Sequence, residues 1–289
     1  MLQNVARPSP LVVSIKEQNI NVPPFGTYPL TRAQRWIRKV FFGTPLGYMS
    51  IRRPFVEWFR QECDGPVDAS LFGLKVRFYP KDNQTDAKSA VCGSCYNAKE
   101  WRWVGKYLPV GGVFVDIGAN MGFFSLFAAT RGARIVAIEP QPVMFRRLCV
   151  NMAFNALDAS LVEVAVGERE ENGSLTQTNL DYGSGRIGQG EGEEVRIRPL
   201  MNILADAGVH HIDVLKIDIE GYEDQALCPF LDNAPESLLP RQIIMEYSER
   251  ACWRADLMGR LQQAGYRKKA CSRGNILLSR EEMPQTASR

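Results

Sequence analysis

The sequence lacks any apolar run of the roughly 20 residues that a membrane-crossing helix needs. It also has little histidine: two residues in 289, adjacent at His210 and His211. Seven cysteines are scattered along the chain, an odd number that suits a reducing compartment better than a disulfide framework. Cys92 and Cys95 form a single C-x-x-C. A zinc site needs a second pair of ligands, and two neighbouring histidines do not supply one at the usual spacing. The pair therefore reads as two loop cysteines without a metal, with a redox role as the lesser alternative. Near the N-terminus, Arg7 and two prolines stand where a signal peptide would be continuously apolar. The expectation is a cytoplasmic protein with no transmembrane segment.

What is present is enough for a substantial core, since 45% of residues are apolar and bulk disorder is thereby excluded. The net charge of +3 is too small to argue for a nucleic-acid partner. It is unevenly spread: residues 1–60 hold nine Lys or Arg against two acids, so the remainder is net negative. A basic leader of this kind fits either a solvated helical arm or a peripheral contact with an anionic lipid surface or acidic partner.

Residues 1–30 are Pro-rich and weakly patterned. Residues 31–42 read as a helix with Thr31 as N-cap, 56–63 as a second short helix, and 71–79 as a strand. Pro80 opens a turn, and a helix at 98–108 follows. From Val113 the pattern becomes regular. Short apolar strands at Val113–Ile117, Arg134–Ile138, 161–166, 212–217 and 242–247 alternate with helical segments. Residues 167–198 are Gly-rich and polar, and 266–270 with 275–278 make a closing pair. Alternating strands and helices predict an α/β fold with a mostly parallel, Rossmann-like sheet, an antiparallel closing strand and a helical N-terminal extension. We divide the chain into an extension at 1–70 and a catalytic domain at 71–282.

The strongest local signal is Asp116-Ile-Gly-Ala-Asn-Met-Gly122, directly after one strand and before a helix. Gly118 permits a tight turn and Gly122 a close approach of helix to sheet or backbone to ligand. Asn120 stands where a dinucleotide fingerprint carries its second glycine, and Asn tolerates positive φ. Asp116 at the strand tip would repel a pyrophosphate but suit an ammonium group. Glu139, about 20 residues on and followed by Pro140, is placed to accept ribose hydroxyls. A donor with an ammonium, a sulfonium and a ribose but no phosphate fits this set, namely S-adenosylmethionine. Both strand-tip acids also have a bland reading, as solvated or capping residues.

Val113-Phe-Val-Asp-Ile-Gly-Ala-Asn-Met-Gly-Phe-Phe-Ser125, Ala137-Ile-Glu-Pro140 and Leu215-Lys-Ile-Asp-Ile-Glu-Gly-Tyr-Glu223 together resemble the FkbM family of methyltransferases over about residues 71–280. The resemblance implies a class I methyltransferase sheet, S-adenosylmethionine as donor, and O-methylation of sugar, glycolipid or polyketide hydroxyls. It says nothing of the first 60 or so residues. The cofactor-binding set it and the residues point to is Asp116, Gly118, Asn120, Gly122, Phe123, Glu139, Pro140, Val166, Gly167 and Asp218.

On the acceptor side, the fourth strand ends in Lys216, Asp218 and Glu220, which alternation places on one side. An alcohol is about as weak an acid as water, so a base or a metal helps to remove its proton. Asp218 is the first candidate, as base, positioning acceptor or part of a divalent metal site. Glu220 is the second, and Glu246 at the end of the fifth strand is the third. Glu220 and Glu223 have an alternative reading as residues favouring a helix N-terminus. Lys216 reads as an ion-pair partner, and His210 and His211 as surface residues at the far end of their strand. The segment 179–187 is either a lid contacting the acceptor through Tyr182 and Arg186 or a solvated hairpin.

Three other functions compete. An NAD-dependent oxidoreductase would have glycine at 120 and no acid at 116. A non-catalytic donor-binding or scaffold protein acting through its basic leader would not need Asp218 and Glu220. A nucleic-acid methyltransferase would favour a basic catalytic half, and this one is net negative. A small-molecule or glycan acceptor is the expected partner.

Overall fold

The computed structural model describes residues 12–14 (as backbone only), 21–177, 182–188 and 192–280. A short strand β1 (Val12–Ser14) comes first. Helix α1 (Arg32–Phe41) starts where the sequence places it, because Thr31 and Gln34 form a reciprocal capping box that satisfies two otherwise orphan amides. After α2 (Arg52–Gln61), a hairpin of β2 (Val67–Leu71) and β3 (Leu74–Phe78) appears where one strand over 71–79 was expected. Its turn is Phe72-Gly73, with φ of 54° and 80°. That two-residue geometry matches strand twist but is normally signalled by Asn or Asp at the first position. Here Phe72 is held instead by its ring contacts with Trp101 and Phe127.

Helix α3 (Gln84–Cys92) was not anticipated; the Asn83 side chain accepts the amides of Thr85 and Asp86 and so starts it. Cys92 ends this helix and Cys95 sits in the turn after it, both buried rather than in an open loop. Helix α4 (Ala98–Tyr107) leads into the main sheet.

The sheet's elements follow in order: β4 (Val113–Ile117), α5 (Phe123–Ala129), β5 (Arg134–Ile138), α6 (Pro142–Ala153) and β6 (Ser160–Val162). An insert then supplies β7 (Ala165–Val166), β8 (Glu171–Gln177), β9 (Gly185–Gly188) and β10 (Glu193–Arg198). The chain returns through α7 (Leu200–Asp206), β11 (Val214–Ile217), α8 (Glu223–Asn233), β12 (Gln242–Glu246), α9 (Leu257–Gln263), β13 (Tyr266–Cys271) and β14 (Asn275–Arg280).

Eight strands form one sheet in the order β1-β6-β5-β4-β11-β12-β14-β13. The five strands from β6 to β12 are parallel, and β14 and β13 close the edge antiparallel, as the sequence predicted. The third strand expected at 161–166 is divided: β6 stays in this sheet, while β7 joins a second sheet in the order β7-β10-β8-β9.

Alternate residues of β4 feed two cores, as the period of a strand requires. Phe114 packs with Ile37, Phe41, Phe59 and Val91 from the N-terminal helices. Val113, Val115 and Ile117 pack with Leu204, Leu227 and Leu261 from α7, α8 and α9 on the other side. Among the described residues, no helix is long and apolar enough to cross a membrane.

The segment before α1 is tied to the domain by a buried ion pair. Arg77 donates to both oxygens of Asp68, at 2.7 and 3.0 Å, and to the carbonyls of Pro23 and Pro24 at 3.0 Å each. Asp68 also accepts the amides of Gly26 and Tyr28. Removing one member of such a pair strands a buried charge. Asp68→Ala should therefore lower unfolding free energy by about 3–5 kcal/mol in urea titration; a loss well under 1 kcal/mol would show that this anchor contributes little.

Candidate active site

The chain leaves β4 towards β5 in one direction and β11 towards β12 in the other, so the loops at their carboxyl ends diverge. A cleft opens where such a switch occurs in an α/β sheet. Its cavity is about 370 Å³, within the roughly 300–1,000 Å³ typical of small-molecule sites. In register, Asp116 of β4 lies beside Lys216 of β11.

The turn after β4 is shaped by contacts that demand its residue types. Gly118 has φ of 71°, and a Cβ there would collide with the carbonyl oxygen of Asp218. Glycine thus lets the two strand ends close on each other. Asn120 follows with φ of 53°. The fully buried Asn83 donates to the Asn120 side-chain oxygen at 2.8 Å, which in turn accepts the amide of Met121 at 2.9 Å. Gly122, with φ of 91°, leaves room for Leu148 and so brings α5 against α6.

Glu139 ends β5 and lines the cleft together with Pro140. Its carboxylate accepts the amides of Asn120 at 2.7 Å and Gln141 at 2.9 Å. Burial pushes its pKa up to about 7, against the opposing effect of those two amides. The two strand-tip acids are therefore not equivalent. Asp116 is fully buried beneath the turn and does not line the cleft. Its carboxylate accepts the Ser125 hydroxyl at 2.7 Å and lies 3.6 Å from the Lys216 ammonium. The expectation that Asp116 reaches an ammonium ligand directly is corrected: the cation it meets belongs to the protein.

Lys216 is itself buried and donates to the Gly118 carbonyl at 2.7 Å. Burial alone would lower its pKa, but the charges of Asp218, Asp116, Glu139 and Glu246 outweigh that and raise it. Asp218 is half-exposed and stands 3.7 Å from the same ammonium. Glu246, at the end of β12, is raised well above the ordinary carboxylate range, first by burial and then by the Asp218 charge. One of its oxygens accepts the Ser248 hydroxyl at 2.6 Å, and the other is buried without a hydrogen-bond partner among the described residues. Glu220 has φ of 55°, a conformation that costs energy for a side-chain-bearing residue and marks functional or constrained positions. Its pKa rises to about 7, chiefly through burial and then the Asp218 charge. Asp218, Glu220 and Glu246 all line the cleft.

Of the other expected residues, Gly118, Asn120, Phe123 and Val166 line the cavity, whereas Gly122 and Gly167 do not. Gly167 faces Ile197 and Tyr222, where a Cβ would not fit. Residues 179–181 of the expected lid lie outside the described residues. Tyr182 lines the cleft, and its amide donates to the Asp82 carbonyl. Arg147 grips the Asp82 carboxylate at 2.8 and 2.7 Å and lies 5.7 Å from the Tyr182 ring. Arg186 is turned to Glu249 at 2.7 Å and is not part of the lining. His210 and His211 are exposed at the amino end of β11. Among the described residues no group of three or more His, Cys, Asp or Glu side chains could hold a metal ion.

Sequence reasoning missed Asn83, which positions Asn120 across 37 residues, and Tyr96 and Trp101, which line the wall opposite the glycine turn. Asn83 had a readable signal, an Asn one residue before a helix-compatible run. Tyr96 had none, because its place depends on a turn between two helices.

A family model described as Methyltransferase FkbM domain matches residues 116–268. The AMB antimetabolite synthetase AmbE of Pseudomonas aeruginosa is 30% identical over 188 residues, covering 50% of this chain but 9% of that one. The 31-O-demethyl-FK506 methyltransferase FkbM of Streptomyces tacrolimicus is 28% identical over 158 residues, 43% of this chain and 61% of that enzyme. The chain thus spans less than two thirds of the length of either. A solved Pyrococcus abyssi tRNA (uracil-54, C5)-methyltransferase in complex with S-adenosyl-L-homocysteine aligns with a TM-score of 0.44 at 11% identity, covering 75% of this chain and 44% of that one.

The raised pKa of Glu220 has a stability consequence. A carboxyl that binds its proton more tightly when folded favours the folded state below its unfolded pKa, and that advantage is lost as pH rises through about 7. Glu220→Gln should therefore raise the thermal midpoint relative to the parent at pH 8 and leave it unchanged near pH 4. A midpoint shift independent of pH would remove the proposed burial of this charge.

Proposed function

The chain belongs to the FkbM family of S-adenosylmethionine-dependent methyltransferases, and from that premise we propose that its cleft methylates a hydroxyl of a sugar, glycolipid or polyketide-like small molecule. The observation that carries the reading is the convergence of Asp218, Glu220 and Glu246 on one cleft at the switch point, with Asp218 3.7 Å from a buried ammonium. The name of the Streptomyces relative, an O-demethyl acceptor's methyltransferase, supports oxygen as the atom modified.

The residues fit the donor. A turn that only glycine can make at 118 lets the loop after β4 close against the Asp218 backbone and line the cleft, and Glu139 presents a carboxylate with remaining acceptor capacity for ribose hydroxyls. Phe123, Pro140 and Val166 give apolar walls for a flat ring. Asp218, Gly118 and Asn120 face the same cavity. The donor supplies an electrophilic methyl group on a sulfonium.

The chain's own part is alignment and proton transfer. Burial and then the neighbouring Asp218 charge favour the protonated form of Glu246. Ser248 holds the Glu246 carboxyl, and the Lys216 ammonium attracts the Asp218 carboxylate. Lys216, which also lines the cavity, offsets that charge. The acceptor hydroxyl then has an oxygen to receive its proton. The oxygen–carbon bond forms as the carbon–sulfur bond breaks, and the hydroxyl proton passes to Asp218. Glu220, at the mouth, is placed to hold a second acceptor hydroxyl. Tyr182, fixed through Asp82 and Arg147, closes one side.

In this reading residues 71–282 carry the transfer and residues 1–70 are an extension, of which Ile37, Phe41 and Phe59 join the domain's core. The partner is a small molecule or glycan and not a nucleic acid. Seven free thiols fit a reducing compartment, so the cytoplasm is the proposed location.

Two measurements test it. With labelled donor and fractionated cell extract, Asp218→Asn should cut methyl transfer by about 10²–10⁴-fold, the usual worth of a positioned base, with donor affinity by calorimetry nearly unchanged. Full turnover in that variant would make Asp218 a bystander. Glu139→Ala should weaken donor binding by about 1–3 kcal/mol in the same calorimetry, and unchanged binding would remove the ribose assignment.

A further inference from the structure

The N-terminal helices carry a pattern that the cleft does not use. Residues 18–56 contain no Asp or Glu, while Arg32, Arg35, Arg38, Lys39, Arg52 and Arg53 fall within them. Arg38 and Arg52 turn inward to backbone carbonyls of Ala90, Ser70 and Gly47. Arg32, Arg35, Lys39 and Arg53 are exposed. The next acid along the chain, Glu57, pairs with Arg60 at 3.2 Å.

Apolar exposure is concentrated in the same place. Among the described residues six large apolar side chains are strongly exposed, and five of them are Trp36, Leu46, Tyr48, Met49 and Ile51. Four of these five lie on the turn between α1 and α2, where solvent would favour polar residues. Trp36 is 61% exposed and Tyr48 58%, so neither ring is folded back on the core. An apolar tip with Trp and Tyr, flanked by unneutralised cations, matches an interface where hydrocarbon and anionic headgroups meet. Nucleic acid would match the charge but leaves Leu46, Met49 and Ile51 without a purpose.

The tip is also next to the cleft. Gly47 is buried against Cys95, whose Sγ would lie 3.0 Å from a Cβ at 47. The residue after Cys95 is Tyr96, which lines the cavity.

We propose that Trp36 and the turn at 46–51, with Arg32, Arg35, Lys39 and Arg53 around them, dock this protein on an anionic lipid surface. The consequence, that the acceptor hydroxyl is presented by a lipid-borne molecule, rests on the O-methylation reading; the docking itself does not.

The test is flotation of the full chain with vesicles of phosphatidylcholine alone or with about one third phosphatidylglycerol, with no donor or acceptor present, so its outcome is separate from that of the methylation assays. Binding is expected to the anionic vesicles only and to weaken as salt is raised. A Trp36→Ser, Met49→Ser double variant and an Arg35→Glu, Lys39→Glu double variant should each bind at least about tenfold more weakly, in line with the worth of a few interfacial contacts or charges. All four side chains are exposed, and an unchanged thermal midpoint confirms that the variants fold. Equal binding to neutral vesicles, no binding, or undiminished binding by both variants would overturn the proposal. So would a concentration-dependent dimer abolished by the same substitutions, which would assign the face to a second copy of the chain.

Discussion

The Lys216 ammonium sits where the two halves of the sheet part. It donates to the carbonyl of Gly118 at the end of β4 and lies within 3.7 Å of both Asp116 below and Asp218 above. Without that cation Asp116 and Asp218 would meet at the crevice with no ammonium to offset their charge, and buried carboxylates in that state give up their ionisation or their burial. Gly118 is the steric half of the same device. Only a residue without Cβ lets its carbonyl approach Lys216 while the Asp218 backbone passes against it.

This arrangement sorts the carboxyls by role. Asp116 is consumed by structure, bound by Ser125 and Lys216. Glu139 is engaged by two amides on one side and faces the cavity on the other. Burial and then the Asp218 charge raise the pKa of Glu246, and Asp218 is the half-exposed carboxyl next to a cation. Chemically similar residues thus acquire different tasks from their surroundings alone. The second sheet contributes a wall, and Arg147, gripping Asp82 and lying over Tyr79, fixes the point where that wall meets α3 through Tyr182.

The fold was legible wherever a strand is buried on both faces. Val113–Ile117 and Arg134–Ile138 are mainly apolar runs whose bounds coincide with β4 and β5, and the run expected at 242–247 exceeds β12 by one residue. It was illegible where tertiary contact overrode a local signal. The hairpin turn at Phe72 lacks the usual Asn or Asp because two aromatic rings stabilise it instead. Helix α3 is weakly patterned because its buried face carries Asp86 and Ser89 beside Ala87, Ala90, Val91 and Cys92, so polarity does not mark which side faces the core. The run at 161–166 reads as one strand, yet Glu163 and Val164 carry the chain out of one sheet and into another.

The sequence by itself determined the order of strands and helices, the glycine turn after β4, and the acids at the ends of β5, β11 and β12, since these follow from periodicity and from conformations that few residues adopt. Only the tertiary structure decided which of those acids face the cleft. Asp116 and Glu139 are alike in sequence, each an acid at or near the end of a buried strand. One points under the glycine turn to a lysine 100 residues away, and the other points into the cavity. That difference is set by where β11 lies beside β4, a long-range pairing that no local pattern encodes.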